Sequence, residues 1–448
     1  MATPAPSTTP AASSAVGDFT PEAFAAHLKT QAGAPAWWLE RKRRAYARFA
    51  ELPLPRRTDE AWRFSNIAGV RLDGFVGERA VPKVTQPMQH ESPGAEFGGS
   101  LFFMANQHGG GVPVGAEAAK RGVIVCTLQE ALRRHADLLQ AHFMAQPQRL
   151  GSEKFAALHE AFLADGAFIY VPRGVELEEP IHVNHLGAPF PGVTFPHTLV
   201  IAEENSRVRV AEFFKSPGKP LVPAHFVIGA NDLYAGHGAQ LSYDGIQDWG
   251  RETLSLQLNS TVVRRDARVQ SFNLHLGGRQ SRHESLSQLQ APGAFSEMLA
   301  VTVAQGEQEF DQRTLQVHQA PNTKSDLLYK NALLDKARTI FSGLIIVDPD
   351  AQKTDAYQSN RNLMLSDEAE ANSLPGLEIQ ANDVRCTHGA TTARIDAEQE
   401  FYLKARGIPT ALANQLLVFG FFEEVLERLP EEKQREGLRK LIQRKLQK

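Results

Sequence analysis

Between about residue 166 and residue 395, apolar positions come in short runs broken by Gly, Asn, Asp and Pro. Residues 168–171 read Phe-Ile-Tyr-Val, 198–201 Thr-Leu-Val-Ile, 207–210 Arg-Val-Arg-Val, 315–317 Leu-Gln-Val and 345–347 Ile-Ile-Val. Such runs predict strands, and no helix-length periodic segment separates them, which argues against βαβ units. On either side the spacing turns helical. From 17 to about 165 a mixed α/β segment is expected. Phe19, Phe24 and Leu28, then Trp37, Trp38 and Leu39, recur at roughly helical intervals. Thr20-Pro21-Glu22 reads as a helix start, and 41–50 continues as a basic helix. The β-rich run 122–126 ends at Cys126, after which Thr127 is placed to cap a helix, with Glu130 three residues on.

From 396 to 448 the chain reads as helical. Leu412, Leu416, Phe419, Phe422, Val425, Leu426 and Leu429 form an apolar stripe that Pro430 stops. The run 416–422, interrupted by Gly420, reads as helix buried in protein. A second helix follows with seven Lys/Arg against three Glu, and Leu438, Ile442 and Leu446 recur every four residues. That narrow stripe suits a partner helix or groove.

The strand-rich segment carries a weak repeat, a turn residue followed by a small one. The small residues are Ser206, Ala239, Ala267, Ala294, Ala337 and Ala369, at intervals of 33, 28, 27, 43 and 32. A period near 30 fits a parallel β-helix with one coil per repeat, or a β-sandwich with evenly spaced strands. Spacing alone leaves both open.

At 448 residues the chain has room for two or three domains. Its net charge of −3, with both signs mixed throughout, gives no footprint for nucleic acid. Two cysteines exclude a disulfide framework and suit a reducing, cytoplasmic compartment. No apolar run is long enough to span a bilayer. Residues 1–16 hold only Met, Ala, Ser, Thr, Pro and Val and no charge, so a disordered extension is expected rather than a signal or transit peptide.

Candidate chemistry centres on Cys386 and His388. On a strand, residues two apart share a face, so thiolate and imidazole would stand side by side as donors to a soft metal. Two donors do not close a site, since iron–sulfur clusters usually take four. The competing reading is a packed cysteine with a hydrogen-bonded histidine at a coil edge. Cys126, ending an apolar run, reads as core. His182, His185 and His197 cluster loosely, and His275 and His283 flank Gly277-Gly278, without ligand spacing. No P-loop or nucleophile elbow occurs, and the Gly-x-Gly at 236–238 lacks a following helix. Asp348, Asp350 and Asp355 keep a second class open, a β-helix enzyme acting on carbohydrate, and a metal-independent structural adaptor is a third.

The region 353–394 also carries an ordered series of blocks: Lys353-Thr354-Asp355, then Gln358-Ser359-Asn360-Arg361-Asn362-Leu363, then 366–372 (S-D-E-A-E-A-N), then 375–379 (P-G-L-E-I), then Cys386-Thr387-His388-Gly389-Ala390-Thr391-Thr392. With Asp59-Glu60-Ala61-Trp62-Arg63-Phe64 near the front and 401–408 near the end, this resembles the SufB/SufD family, on its SufD side, over about nine-tenths of the chain. The resemblance implies a right-handed parallel β-helix core (166–395), an N-terminal α-rich domain (17–165) and a C-terminal helical domain (396–448). It implies a non-catalytic scaffold subunit that assembles iron–sulfur clusters with SufB, while the SufC ATPase, docked on about 401–429, supplies hydrolysis. The nascent cluster would be shared with SufB, with His388 and Cys386 as this chain's metal ligands. Reduced FAD is a candidate second cofactor of the complex, and a homodimer the alternative when SufB is absent. SufB-like chains place a cysteine where Asn360 stands and a glutamate where Gly389 stands, so this chain looks like the helper half of a shared site.

Overall fold

The structure is a computed structural model that describes residues 16–75, 97–217 and 225–447. All but the last residue of the tail expected at 1–16 lies outside them. The chain opens with helices α1 (Pro21–Thr30) and α2 (Ala36–Glu51), then strands β1 (Gly99–Met104) and β2 (Gln107–Val112). Next come α3 (Ala116–Lys120), β3 (Ile124–Thr127), α4 (Leu128–Arg134), α5 (Ala136–His142) and α6 (Glu153–Phe162). The anticipated caps are made: Thr20 Oγ1 accepts from Ala23 N, with Pro21 next to it, and Thr127 Oγ1 accepts from Glu130 N at 3.1 Å. The glycines at 109–111, which suggest a loose loop, belong to β2. A side chain at Gly111 would strike Ser100 O, so the hairpin closes only on glycine there.

Strands fill the middle: β4 (Ala167–Val171), β5 (Ile181–Leu186), β6 (Val193–Thr194), β7 (His197–Ala202), β8 (Arg207–Lys215), β9 (His225–Ala235) and β10 (Gln240–Asp248). They continue as β11 (Thr253–Val263), β12 (Arg268–His275), β13 (Gln280–Leu289), β14 (Phe295–Ala304) and β15 (Glu309–His318). The last five are β16 (Lys324–Leu333), β17 (Arg338–Val347), β18 (Asp355–Met364), β19 (Glu370–Ile379) and β20 (Arg385–Arg394). From β7 on, successive strands fall alternately into two sheets. One runs β2-β1-β5-β8-β10-β12-β14-β16-β18-β20, the other β19-β17-β15-β13-β11-β9-β7-β4-β3. Pairing is parallel except for the β1–β2 and β3–β4 couples. This is a parallel β-solenoid of about eight turns, so the sandwich alternative falls.

The repeat has a physical cause. Asn205, Gly238, Asp266, Gly293, Asn322 and Lys353 all take positive φ, between 53° and 78°, at the turn entering the first sheet. Asn, Asp and Gly tolerate that conformation best. The residue after each is small and at most 2 % exposed: Ser206, Ala239, Ala267, Ala294, Thr323 and Thr354. Their spacing is 33, 28, 27, 29 and 31 residues. The interval of 43 in the sequence reading arose because Ala337 and Ala369 enter β17 and β19, in the opposite sheet.

Each sheet is covered on its outer face. Phe19, Trp38, Phe49 and Phe162 pack with Leu199, Ile201 and Phe226 of the second sheet. At the other end of the chain lie α7 (Ala397–Ala405), α8 (Thr410–Leu426) and α9 (Glu432–Leu446). Val418, Phe422, Val425 and Leu426 of α8 are fully buried against Phe272, Leu299 and Leu328 of the first sheet. Each such side chain contributes about 1.5–3 kcal/mol by leaving water. The apolar stripe of this helix is split, however. Leu416 is 46 % exposed and Leu412 47 %, so the run 416–422 is not wholly buried.

Candidate functional site: the open end of the solenoid

The solenoid stops at β19 and β20, each with one edge unpaired among the described residues. The register places Ala356, Gln358 and Asn360 of β18 beside Cys386, His388 and Ala390 of β20. Those β18 residues are at most 2 % exposed, so they line the interior. Alternation along β20 puts Cys386 and His388 in the same inward-facing columns, about 6.7 Å apart along the strand. One coil deeper the two columns hold Ala356 and Gln358, and two coils deeper Ser325 and Leu327. At β20 no further coil covers them. Cys386 is half-buried against the small cluster of Ile345, Val347, Ala351, Ala356 and Ala381, while His388 is exposed.

Burial pushes the Cys386 thiol up, and the Asp355 carboxylate adds to that, while the Ala356 backbone acts in the opposite sense. The thiol is therefore protonated at neutral pH and must lose its proton to bind a metal. No group of three or more His, Cys, Asp or Glu able to hold a metal occurs among the described residues. The pair can offer two donors from one face of one strand, and any closed coordination sphere needs ligands from beyond the described residues.

Asn360 is fully buried one strand inward, where its Oδ1 accepts from Ser373 Oγ at 2.6 Å and Asn362 Nδ2 at 3.0 Å. Gly389, between His388 and Ala390, falls on the opposite face of β20. The other histidines are not brought together as a site. His185 Nε2 lies 2.7 Å from Glu212 Oε1, and His197 Nδ1 lies 3.1 Å from His159 Nε2. His275 and His283 do lie together, ring centroids 4.8 Å apart and tilted by 60°, but their nitrogens meet Thr302, Gln312, Asn259 and Ser285 inside the solenoid. Cys126 is buried core, its thiol pushed up to about 12 by burial. Asp355 pairs with Lys324, and Asp348 and Asp350 lie in the turn leaving β17.

The front motif has a role that sequence reading did not find. Arg282 and Arg313 stand on the outer face of the second sheet beside Glu284 and Asp311, all at most 4 % exposed. Asp311 accepts from both arginines and from Ser65 Oγ. Arg282 also donates to Ala61 O at 2.8 Å and Leu150 O at 2.7 Å, and lies 3.9 Å over the Trp62 ring. Arg313 donates to Arg63 O. The Asp59-to-Phe64 motif is thus half of a buried clamp that fastens the N-terminal segment to the solenoid.

Comparison with known proteins agrees with this architecture. The SufBD core domain of SUF-system iron–sulfur cluster assembly matches residues 185–421, and the SufBD protein N-terminal region matches 25–183. The chain belongs to the SufBD family of iron–sulfur cluster assembly proteins. It is 27% identical to the iron–sulfur cluster assembly protein SufD of Bacillus subtilis over 416 residues, 92% of this chain and 94% of that one. A SufBD family protein of Synechocystis is 28% identical over 393 residues, 85% of this chain and 84% of its own. One from Mycobacterium tuberculosis is 31% identical over 307 residues, 67% and 74% respectively. Among the described residues, no helix is long and apolar enough to cross a membrane.

Proposed function

We propose that this chain is the SufD-like scaffold subunit of a SufB–SufC–SufD complex and carries no catalytic step of its own. The observation that carries the reading is the uncovered last coil, with Cys386 and His388 on its interior face and no third donor among the described residues. In this reading a SufB-like subunit pairs with the open end and completes the coordination of the nascent cluster, which is cargo. His388 supplies a neutral imidazole and Cys386 plays a supporting part, its thiol raised by burial. A homodimer through the same end is the alternative assembly when that partner is missing. The SufC ATPase docks on 401–429, where Phe401, Tyr402, Leu412 and Leu416 are exposed. Reduced FAD is the candidate second cofactor of the complex; the Gly236–Gly238 turn between β9 and β10 joins two strands and is not a dinucleotide-binding turn.

The test is co-expression with the partner subunits, followed by anaerobic reconstitution. His388→Ala should leave assembly intact and sharply lower iron per complex, and Cys386→Ser should have the weaker effect. Because His388 is exposed, its loss should barely change the unfolding midpoint. Normal iron per complex in His388→Ala would sink the ligand role.

A further inference from the structure

The inner side of α8 is fastened by charge as well as by apolar packing. Lys330 of β16 has a side chain only 4 % exposed, and its Nζ lies 2.6 Å from Glu424 Oε2. The same Nζ donates to Phe421 O at 2.7 Å. Arg361 of β18 reaches Glu424 Oε2 at 3.0 Å. Lys330 and Arg361 are register partners, and the next residue in their column is Thr391 of β20. Glu424 therefore bridges two adjacent strands, the second of which adjoins the edge. Beside Arg361, Asn362 Nδ2 donates to Asn360 Oδ1 at 3.0 Å and Thr391 O at 3.4 Å. Asn360 Oδ1 also takes Ser373 Oγ of β19. The helix's polar contacts on the outer face of β18 and the terminal strands' polar contacts on its inner face are thus joined through the backbone of β18.

The other ion pairs of this module stop short of that end. Arg439 joins Glu423 of α8 to Glu432 of α9, and Arg428 meets Glu297 and Asp326 on β14 and β16. Only the Glu424 pairs among these reach β18. Glu424 lies eight residues beyond the exposed Leu416, about 12 Å along a rigid helix. A load on the exposed end of α8 would meet this joint before the edge strands.

We propose that Glu424 is a positioning residue: through Lys330 and Arg361 it couples the stance of α8 to the order of β18 and β20, the strands next to and bearing the Cys386–His388 pair. The link to ATP use rests on the ATPase dock proposed above; the joint itself does not.

Hydrogen exchange on the full chain alone tests the joint. Glu424→Gln should speed exchange of amides in 355–364 and 385–394 by about fivefold, the factor implied by losing the two ion pairs of a half-exposed carboxylate. Amides of 268–275 should not change, and Glu424→Asp should restore part of the protection. Arg439→Gln, which loosens α8 from α9 instead, should leave β18 and β20 unaffected. Equal exchange in Glu424→Gln and the parent protein overturns the proposal, as does an equal rise in Arg439→Gln. With the ATPase subunit added, Glu424→Gln should bind it as the parent does but lose any nucleotide-dependent change in exchange at β18 and β20. A change that persists in Glu424→Gln also overturns it. Failure of the ATPase to bind the parent protein refutes the dock, while the experiment on the chain alone still decides the joint.

Discussion

Replacing Asp311 by Asn tests the reasoning applied to the buried clamp. The four charges Arg282, Glu284, Asp311 and Arg313 balance, two of each sign, with almost no solvent access. Burial alone would raise the Asp311 carboxyl, but the Arg282 and Arg313 guanidiniums outweigh it and hold the group below its ordinary 3.8. Asparagine keeps the shape and removes one negative charge. Its single oxygen cannot serve Arg282, Arg313 and Ser65 as the carboxylate does, and its NH₂ would face a guanidinium donor. Losing two charge-assisted bonds at about 1.5–3 kcal/mol each, and leaving a buried cation uncompensated, gives about 3–5 kcal/mol. The assay is urea unfolding followed by circular dichroism, together with limited proteolysis of the 54–72 segment, which the clamp holds through Ala61, Arg63 and Ser65. The segment should become cleavable before the solenoid unfolds. The double change Arg282→Met with Asp311→Leu leaves Arg313 and Glu284 balanced and should recover part of the loss. A cost below about 1 kcal/mol for Asp311→Asn would show that the network is hydrated and that the buried-charge reasoning fails.

Two further outcomes follow from the same structure. Leu416→Glu, at a half-exposed position on the outer side of α8, should leave stability within about 0.5 kcal/mol and abolish binding of the ATPase subunit; unchanged binding would move the dock elsewhere. Acid should destabilise the fold before the Asp311 carboxylate is protonated. Burial lowers His159, His225, His275 and His318 to about 4, from an ordinary 6.5, so the unfolded chain binds protons first as pH falls from 6.5 towards 4, and stability drops over that window. Asp165, raised by burial to about 6, Asp232 and Asp244, to about 7, and Glu309, also raised, act in the opposite sense, but they are four against six once His197 and His283, lowered well below 6.5, are included. The urea midpoint should therefore fall between pH 6.5 and pH 5, less steeply in His275→Gln, and a flat or rising midpoint would contradict the burial of these rings.

How much of this was legible in the sequence depended on whether a local rule governed each feature. The turn-plus-small-residue repeat was readable because positive φ at Asn205, Gly238 and Asp266 selects residue types directly, whatever the rest of the chain does. The switch of sheet behind the 43-residue interval was not, because both families of turns use the same residues. Strand alternation gave the shared face of Cys386 and His388, yet it failed for β15, where all ten residues are buried and no polar side shows. The polar interior at Gln312, Asn331 and Asn362 was hidden for that reason. The stripe of α8 was legible as apolar, but not its division into a buried and an exposed side, since Leu416, Leu417, Val418 and Phe419 are apolar nearly all round the helix. The front motif stood out as a motif and not as a clamp, because Ser65 and Asp311 are 246 residues apart and meet only once the coils are stacked. The same limit applies to the candidate site. Two donors two residues apart are a local pattern. That they stand at an uncovered end, rather than beneath another coil as Ser325 and Leu327 do, depends on where stacking stops. In the function proposed above, that stopping point makes a common strand pattern a place where a second subunit's ligands would meet Cys386 and His388.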